Sequence, residues 1–129
     1  GKNLETKHWK LGVRHPDISN KNLAVSVKLV NQAMATSGTY QNYFTIDENR
    51  YAHIINPADG YPVAHDLVSA TVIANDCVSA DAIATALIVM GLDKALKWVR
   101  RHDGIECYLI SQLDSGEFRS EQSNNFPGS

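Results

Sequence analysis

The chain has 129 residues, 43% hydrophobic and 20% charged, with twelve Lys and Arg against fourteen Asp and Glu for a net charge of −2. That length fits one domain with a sizeable core, and the hydrophobic fraction excludes a disordered chain. Near-balanced charge argues against a basic nucleic-acid footprint, and no apolar run of about 18 residues is present to span a bilayer.

Taken in chain order, the polar ends at 1–7 and 120–129 read as loosely held. Residues 8–14 alternate, with Trp9, Leu11 and Val13 on one side, and predict a half-buried strand stopped by Pro16-Asp17. Residues 23–30 repeat that pattern, and 33–37 form a short extended stretch bent at Gly38. Two further strands, 43–46 and 51–55, flank a polar tetrapeptide and predict a hairpin whose second arm carries Tyr51, His53 and Ile55 on one face. Asn56-Pro-Ala-Asp-Gly-Tyr-Pro62 is a stiff loop: two prolines fix φ and Gly60 permits a bend.

Residues 67–74 predict a strand, and from Ser79 the period becomes helical as far as Met90, with Gly91 as a stop. A second helix covers 93–102, with Leu92, Leu96 and Val99 as its apolar stripe, and 105–110 returns as a strand before a turn at Asp114-Ser115-Gly116 and a short last strand. The pattern predicts an α+β domain: a largely antiparallel sheet with two consecutive helices packed on it.

The common chemical signatures are absent: no G-x-G-x-x-G, no Walker phosphate loop, no H-E-x-x-H and no G-x-S-x-G. Cys77 and Cys107 either form one disulfide or stay two thiols, and neither belongs to a C-x-x-C pair. Three local oddities remain. The helix from Ser79 is apolar all round, which predicts burial, yet carries Asp81 and Thr85 four residues apart and hence one above the other. Either Asp81 complements the helix N-terminus and Thr85 back-bonds to a carbonyl, or their oxygens hold a hard cation such as Mg²⁺. His53 sits at the end of a hairpin arm before the stiff loop, as a structural side chain or a proton acceptor. The small hydroxyl residues around Gly38 form either a turn or a close approach for a ligand.

Together these stretches resemble the ApbE family of flavin transferases. The matching segments are Trp9-Lys-Leu-Gly-Val-Arg-His-Pro16, Ala35-Thr-Ser-Gly-Thr-Tyr-Gln-Asn-Tyr-Phe44, His53-Ile-Ile-Asn-Pro-Ala-Asp-Gly-Tyr-Pro62, Leu67-Val-Ser-Ala-Thr-Val-Ile-Ala74 and Ser79-Ala-Asp-Ala-Ile-Ala-Thr-Ala-Leu-Ile-Val-Met-Gly91. They come in family order and span nearly the whole chain. The resemblance implies the C-terminal portion of a longer flavin transferase domain, without its N-terminal half, and expected to be inactive alone. Asn56 stands where the family often has Asp, so it is given no catalytic role.

What the resemblance implies is Mg²⁺-dependent FAD:protein FMN transfer: FMN moves from FAD to a Thr hydroxyl of a partner flavoprotein, a subunit of a membrane redox complex, and AMP is released. Asp81 and Thr85 become the magnesium ligands and His53 the group that activates the acceptor hydroxyl. Ala52, Ser37 and Gly38 are expected at the FAD. The apolar helix around Asp81 is expected to exclude water. The implied location is the periplasmic face of the bacterial inner membrane, as a lipoprotein. The alternative is a module that binds or hydrolyses FAD without flavinylating a protein.

Overall fold

The computed structural model describes residues 2–17, 19, 21–39, 43–46, 49–63 and 65–128, with 43–46 and 49–52 described by backbone alone. In chain order the elements are β1 (Trp9–Arg14), β2 (Leu23–Leu29), β3 (Ala33–Gly38), β4 (Tyr43–Ile46), β5 (Asn49–Ala52), β6 (Leu67–Ala74), α1 (Cys77–Met90), α2 (Leu92–Val99), β7 (Glu106–Gln112) and β8 (Phe118–Gln122).

The molecule is built around β6. Only Val68 of its residues escapes full burial, as a nearly continuous apolar run demands of a strand covered on both faces. β6 pairs with β3 on one side and β7 on the other, and β8 completes the sheet in the order β3-β6-β7-β8. Alternation then sorts the side chains. Ala70, Val72, Cys107 and Leu109 face α1 and α2, while Ile73, Tyr108 and Ile110 face the β1–β2 hairpin. The result is three layers, helices on sheet on hairpin, with a core on each side of the sheet. A fully buried side chain such as Leu109 in these cores contributes about 1.5–3 kcal/mol.

All the described ladders are antiparallel, so the α+β reading with two consecutive helices on the sheet holds. The strands divide, however, into one four-stranded sheet and two separate hairpins, β1–β2 and β4–β5. The β4–β5 register pairs Ile46 with Asn49, a tighter connection than the expected tetrapeptide. Asp47 and Glu48 lie outside the described residues. β5 ends at Ala52, and His53 and Ile55 do not share a strand face with Tyr51.

α1 begins two residues before Ser79, because Asp76 caps it. The Asp76 backbone is extended, Oδ1 accepts from the Ser79 amide at 2.8 Å, and Oδ2 accepts from the Ser79 hydroxyl at 2.9 Å. Gly91, at φ 77°, ends α1 and opens α2 in one step.

The C-terminal stretch is docked rather than loose. The Ser123 amide donates to the Cys107 carbonyl at 2.9 Å, and the Ser123 hydroxyl accepts from the Cys107 amide at 2.9 Å and donates to the Glu106 carboxylate. Phe126 is buried against Tyr108, with ring centroids 5.5 Å apart. Gly128 bridges Val27 where a Cβ would lie 2.5 Å from the Val25 side chain. Polar composition concealed this docking because a single aromatic anchors the segment.

Candidate active site

β3 is an edge strand of the four-stranded sheet and runs out in Ser37 and Gly38. Ser37 pairs with Ala70, whose side chain belongs to the helix-side core, so Ser37 faces α1. There its Oγ lies 2.8 Å from Thr85 Oγ1. Thr36, on the opposite face, shares a 2.8 Å hydroxyl contact with its cross-strand partner Thr71.

α1 presents Ala80, Ala84, Leu87 and Ile88 to the sheet and leaves Val78, Asp81, Ala82 and Thr85 exposed. This corrects the expectation of a helix buried all round. Its small apolar residues raise the apolar content of every face, but a helix lying on one sheet has only one face covered. Asp81 is therefore open to solvent, and the helix does not exclude water around it. Asp81 also stands in the second turn, so the N-terminal role falls to Asp76 instead. Thr85 Oγ1 does donate to the Asp81 carbonyl, at 3.3 Å, in addition to its contact with Ser37.

His53 is held between two anchors. Ala52 before it pairs with Tyr43 in the β4–β5 hairpin, and Ile54 after it is buried in the helix-side core. The Ile54 carbonyl accepts from the Val63 amide at 3.0 Å, and Ile55 bridges Pro62. Within the loop, Gly60 donates to the Asn56 carbonyl at 2.8 Å, and Asn56 Oδ1 accepts from the Ala58 amide at 3.0 Å. Asn56 thus shapes the loop with its side-chain oxygen, a role that an amide fills without a charge.

These segments meet in a cleft of about 710 Å³ lined by Ser37, Gly38, His53 and Thr85 together with Gly12, Arg14, Thr36, Ile54, Ile55 and Val89. Four of the six residues singled out from the sequence therefore share one wall system. Ala52 adjoins it through His53, its own side chain lying outside the described atoms, and Asp81 sits one turn of α1 away from Thr85, off the lining. Arg14 and Thr36 were not singled out. Both lie inside family-like segments to which the resemblance assigns no role at these positions; Thr36 comes with β3, and the packing of the β1–β2 hairpin beside β3 brings in Arg14.

Hydroxyls, an imidazole and a guanidinium line the cleft, and among the described residues no carboxylate does. Such a set suits an anionic, oxygen-rich ligand such as a phosphate ester. For a hard cation at the helix, Asp81 and Thr85 offer oxygen donors stacked on one exposed side of α1, and among the described residues no Lys or Arg is paired with Asp81. That donor chemistry fits Mg²⁺, while supplying two of the about six oxygens it takes. No group of three or more His, Cys, Asp or Glu suited to a metal occurs among the described residues.

A layered α+β fold with a phosphate-suited cleft between sheet edge, helix and loop is the class of protein defined so far. The chain belongs to the ApbE family, whose sequence model matches residues 1–109. It is 39% identical over 127 residues to the FAD:protein FMN transferase of Haemophilus influenzae, covering 98% of this chain and 36% of that protein. The Escherichia coli K12 protein of the same name is 36% identical over 126 residues, covering 98% of this chain and 35% of the relative. Among solved structures, the flavin transferase ApbE from Vibrio cholerae superposes with a TM-score of 0.80 at 31% identity, over 98% of this chain and 39% of that one. The chain thus spans little more than a third of the length of the curated relatives it matches.

Proposed function

We propose that this chain contributes part of the active site of a Mg²⁺-dependent FAD:protein FMN transferase, which moves FMN from FAD to a Thr hydroxyl of a partner flavoprotein and releases AMP. The observation that carries the reading is the convergence of Ser37, Gly38, His53 and Thr85, from three separate segments, on one cleft in a member of this family.

In this reading His53 takes the proton of the acceptor Thr, whose oxygen forms a bond to the FMN phosphorus. The bond from that phosphorus to the bridging oxygen breaks, and AMP departs with the electron pair. A weak hydroxyl nucleophile needs such a base, an effect worth about 10²- to 10⁴-fold. Ser37, Gly38 and Ala52 approach the dinucleotide, the two small β3 residues leaving room for close contact. Asp81 and Thr85 would hold the cation, which when bound neutralises charge on the phosphoryl oxygens. Asp81 and Thr85 supply two of the about six oxygens that Mg²⁺ takes, so metal binding and catalysis by these 129 residues alone are weak. The acceptor on this reading is a subunit of a membrane redox complex, and the location is the periplasmic face of the inner membrane, as a lipoprotein. The family resemblance alone supports both.

The exposure of Asp81 and Thr85 favours a second reading, FAD hydrolysis, because water reaches the helix wall. One experiment separates the two. A polypeptide of the relatives' full length containing this chain is mixed with FAD, Mg²⁺ and a Thr-containing acceptor domain, and products are resolved under denaturing conditions. Flavin fluorescence that stays with the acceptor supports transfer. Free FMN and AMP without labelled acceptor support hydrolysis, and no consumption of FAD refutes both.

A further inference from the structure

The cleft has a cationic arm that neither the family resemblance nor the proposed mechanism employs. Arg14 is the last residue of β1, and the β1–β2 register shifts between Val13 and Arg14. The extra residue there is Ala24 on β2, and plain alternation along β1 puts Arg14 on the same face as Gly12, which also lines the cleft. Val13 is 2% exposed, so the backbone just before the shift is anchored in the hairpin-side core. Leu23, paired with Arg14, lies flat over Gly12, where a Cβ would stand 2.4 Å from Leu23 Cδ1. The absence of a side chain at Gly12 gives the exposed Leu23 room to rest beside the arginine. The outcome is an exposed guanidinium on a stiff strand end, lining the cleft with Thr36, Ser37, Gly38, His53 and Thr85.

Two further observations give the arm a purpose. Among the described residues no carboxylate forms an ion pair with Arg14, and no Asp or Glu lines the cleft. A guanidinium presents a planar fork of donors that matches phosphoryl oxygens two at a time, which an ammonium cannot reproduce. A cation kept out of ion pairs and set among hydroxyls is suited to an oxyanion supplied from outside.

We propose that Arg14 is a specificity-determining residue of the cleft, which holds phosphate oxygens of the bound flavin nucleotide and so separates phosphorylated flavins from riboflavin. This rests on the flavin reading of the cleft. It adds a protein-borne positive charge on the hairpin wall that is independent of any metal at α1, so the discrimination persists without Mg²⁺.

The test uses the 129-residue chain in metal-free buffer, titrated with FMN and with riboflavin, which lacks the phosphate, and with inorganic pyrophosphate as competitor. The unsubstituted chain binds FMN about tenfold or more tighter than riboflavin, as a charge-assisted phosphate contact implies, and pyrophosphate displaces FMN. Arg14→Gln brings FMN affinity down to that of riboflavin and leaves riboflavin affinity unchanged. Arg14→Lys keeps part of the preference and serves as the comparison should Arg14→Gln melt early. An unsubstituted chain that shows no preference for FMN, or binds neither flavin, overturns the assignment, and so does an Arg14→Gln chain that keeps the full preference. Loss of the preference in Arg14→Gln, alongside failure of covalent transfer by the longer polypeptide, retains Arg14 and removes the transferase reading. Successful transfer with the preference intact in Arg14→Gln does the reverse.

Discussion

Ser37 Oγ and Thr85 Oγ1 stand 2.8 Å apart although 48 residues separate them in the chain. The contact ties the edge of the sheet to the middle of α1 at the lip of the cleft. It also leaves Thr85 with its hydroxyl shared between Ser37 and the Asp81 carbonyl, directly above the Asp81 side chain on the helix surface.

Removing either proposed ligand should therefore affect metal use far more than folding. Asp81 is exposed and Thr85 sits at the surface, so Asp81→Ala should leave the melting temperature nearly unchanged and Thr85→Ala should cost about 1 kcal/mol or less. In a polypeptide of the relatives' length, Asp81→Ala is expected to abolish Mg²⁺-dependent FMN transfer. Full activity in that variant would refute the ligand assignment. Calorimetry on the 129-residue chain should find weak Mg²⁺ binding, and a micromolar or tighter site would contradict a two-oxygen donor set.

His53→Ala in the same longer polypeptide should lower transfer by about 10²- to 10⁴-fold while FAD still binds. Equilibrium dialysis with FAD makes the distinction. If binding disappears together with transfer, His53 is a wall of the pocket rather than a base.

Asp76 provides a pH-dependent test of the helix start. The Ser79 amide and then the Ser79 hydroxyl hold its carboxyl below the ordinary value of 3.8. A depressed pKa means that the charged form favours the fold. The contribution is fully present above pH 3.8 and is lost as pH falls through the lower folded-state value. Asp76→Ala should melt earlier than the unsubstituted chain at neutral pH, and the gap should close in strong acid. Equal melting temperatures at pH 7 would remove the cap from the account of α1.

The two cysteines are both free, Cys77 exposed at the first turn of α1 and Cys107 buried in β7. Burial pushes the Cys107 thiol up to about 11, so it remains protonated and shielded at neutral pH. A thiol reagent should therefore modify one cysteine in the native chain and two after denaturation. Rapid modification of both without denaturant would show that β7 is not packed as described.

Phe126 is the anchor of the C-terminal stretch. It closes the hairpin-side core against Tyr108, so Phe126→Ala should cost about 3 kcal/mol in urea unfolding. A change below about 0.5 kcal/mol, the range of an ordinary surface substitution, would return this stretch to the loosely held tail that its polar composition suggests.

The fold was legible wherever one period ran long enough to dominate. β6 falls on the predicted residues 67–74, β4 on 43–46, and the helix-to-strand order after Gly91 holds. Boundaries failed where a side chain or a distant segment intervened. Asp76 lengthened α1 by capping it, and the Ile55–Pro62 bridge cut β5 short by drawing the chain into its own loop. In the site, Ser37, Gly38, His53 and Thr85 were identifiable from family-like segments. Arg14 and Thr36 lie in the same segments but drew no role, because strand alternation says which face a residue takes and nothing about which element lies across from it.

By itself, then, the order of residues determined the local periods, the stiff loop at 56–62 and the family to which the chain belongs. Tertiary structure alone decided that α1 covers one face and leaves Asp81 in water, that the hairpin-side core needs Phe126, and that an arginine from β1 joins hydroxyls from β3 and α1. The reason is that periodicity depends only on residues a few positions apart. Which surfaces are covered, and which charges stay unpaired, depends on contacts between segments that sequence distance does not rank.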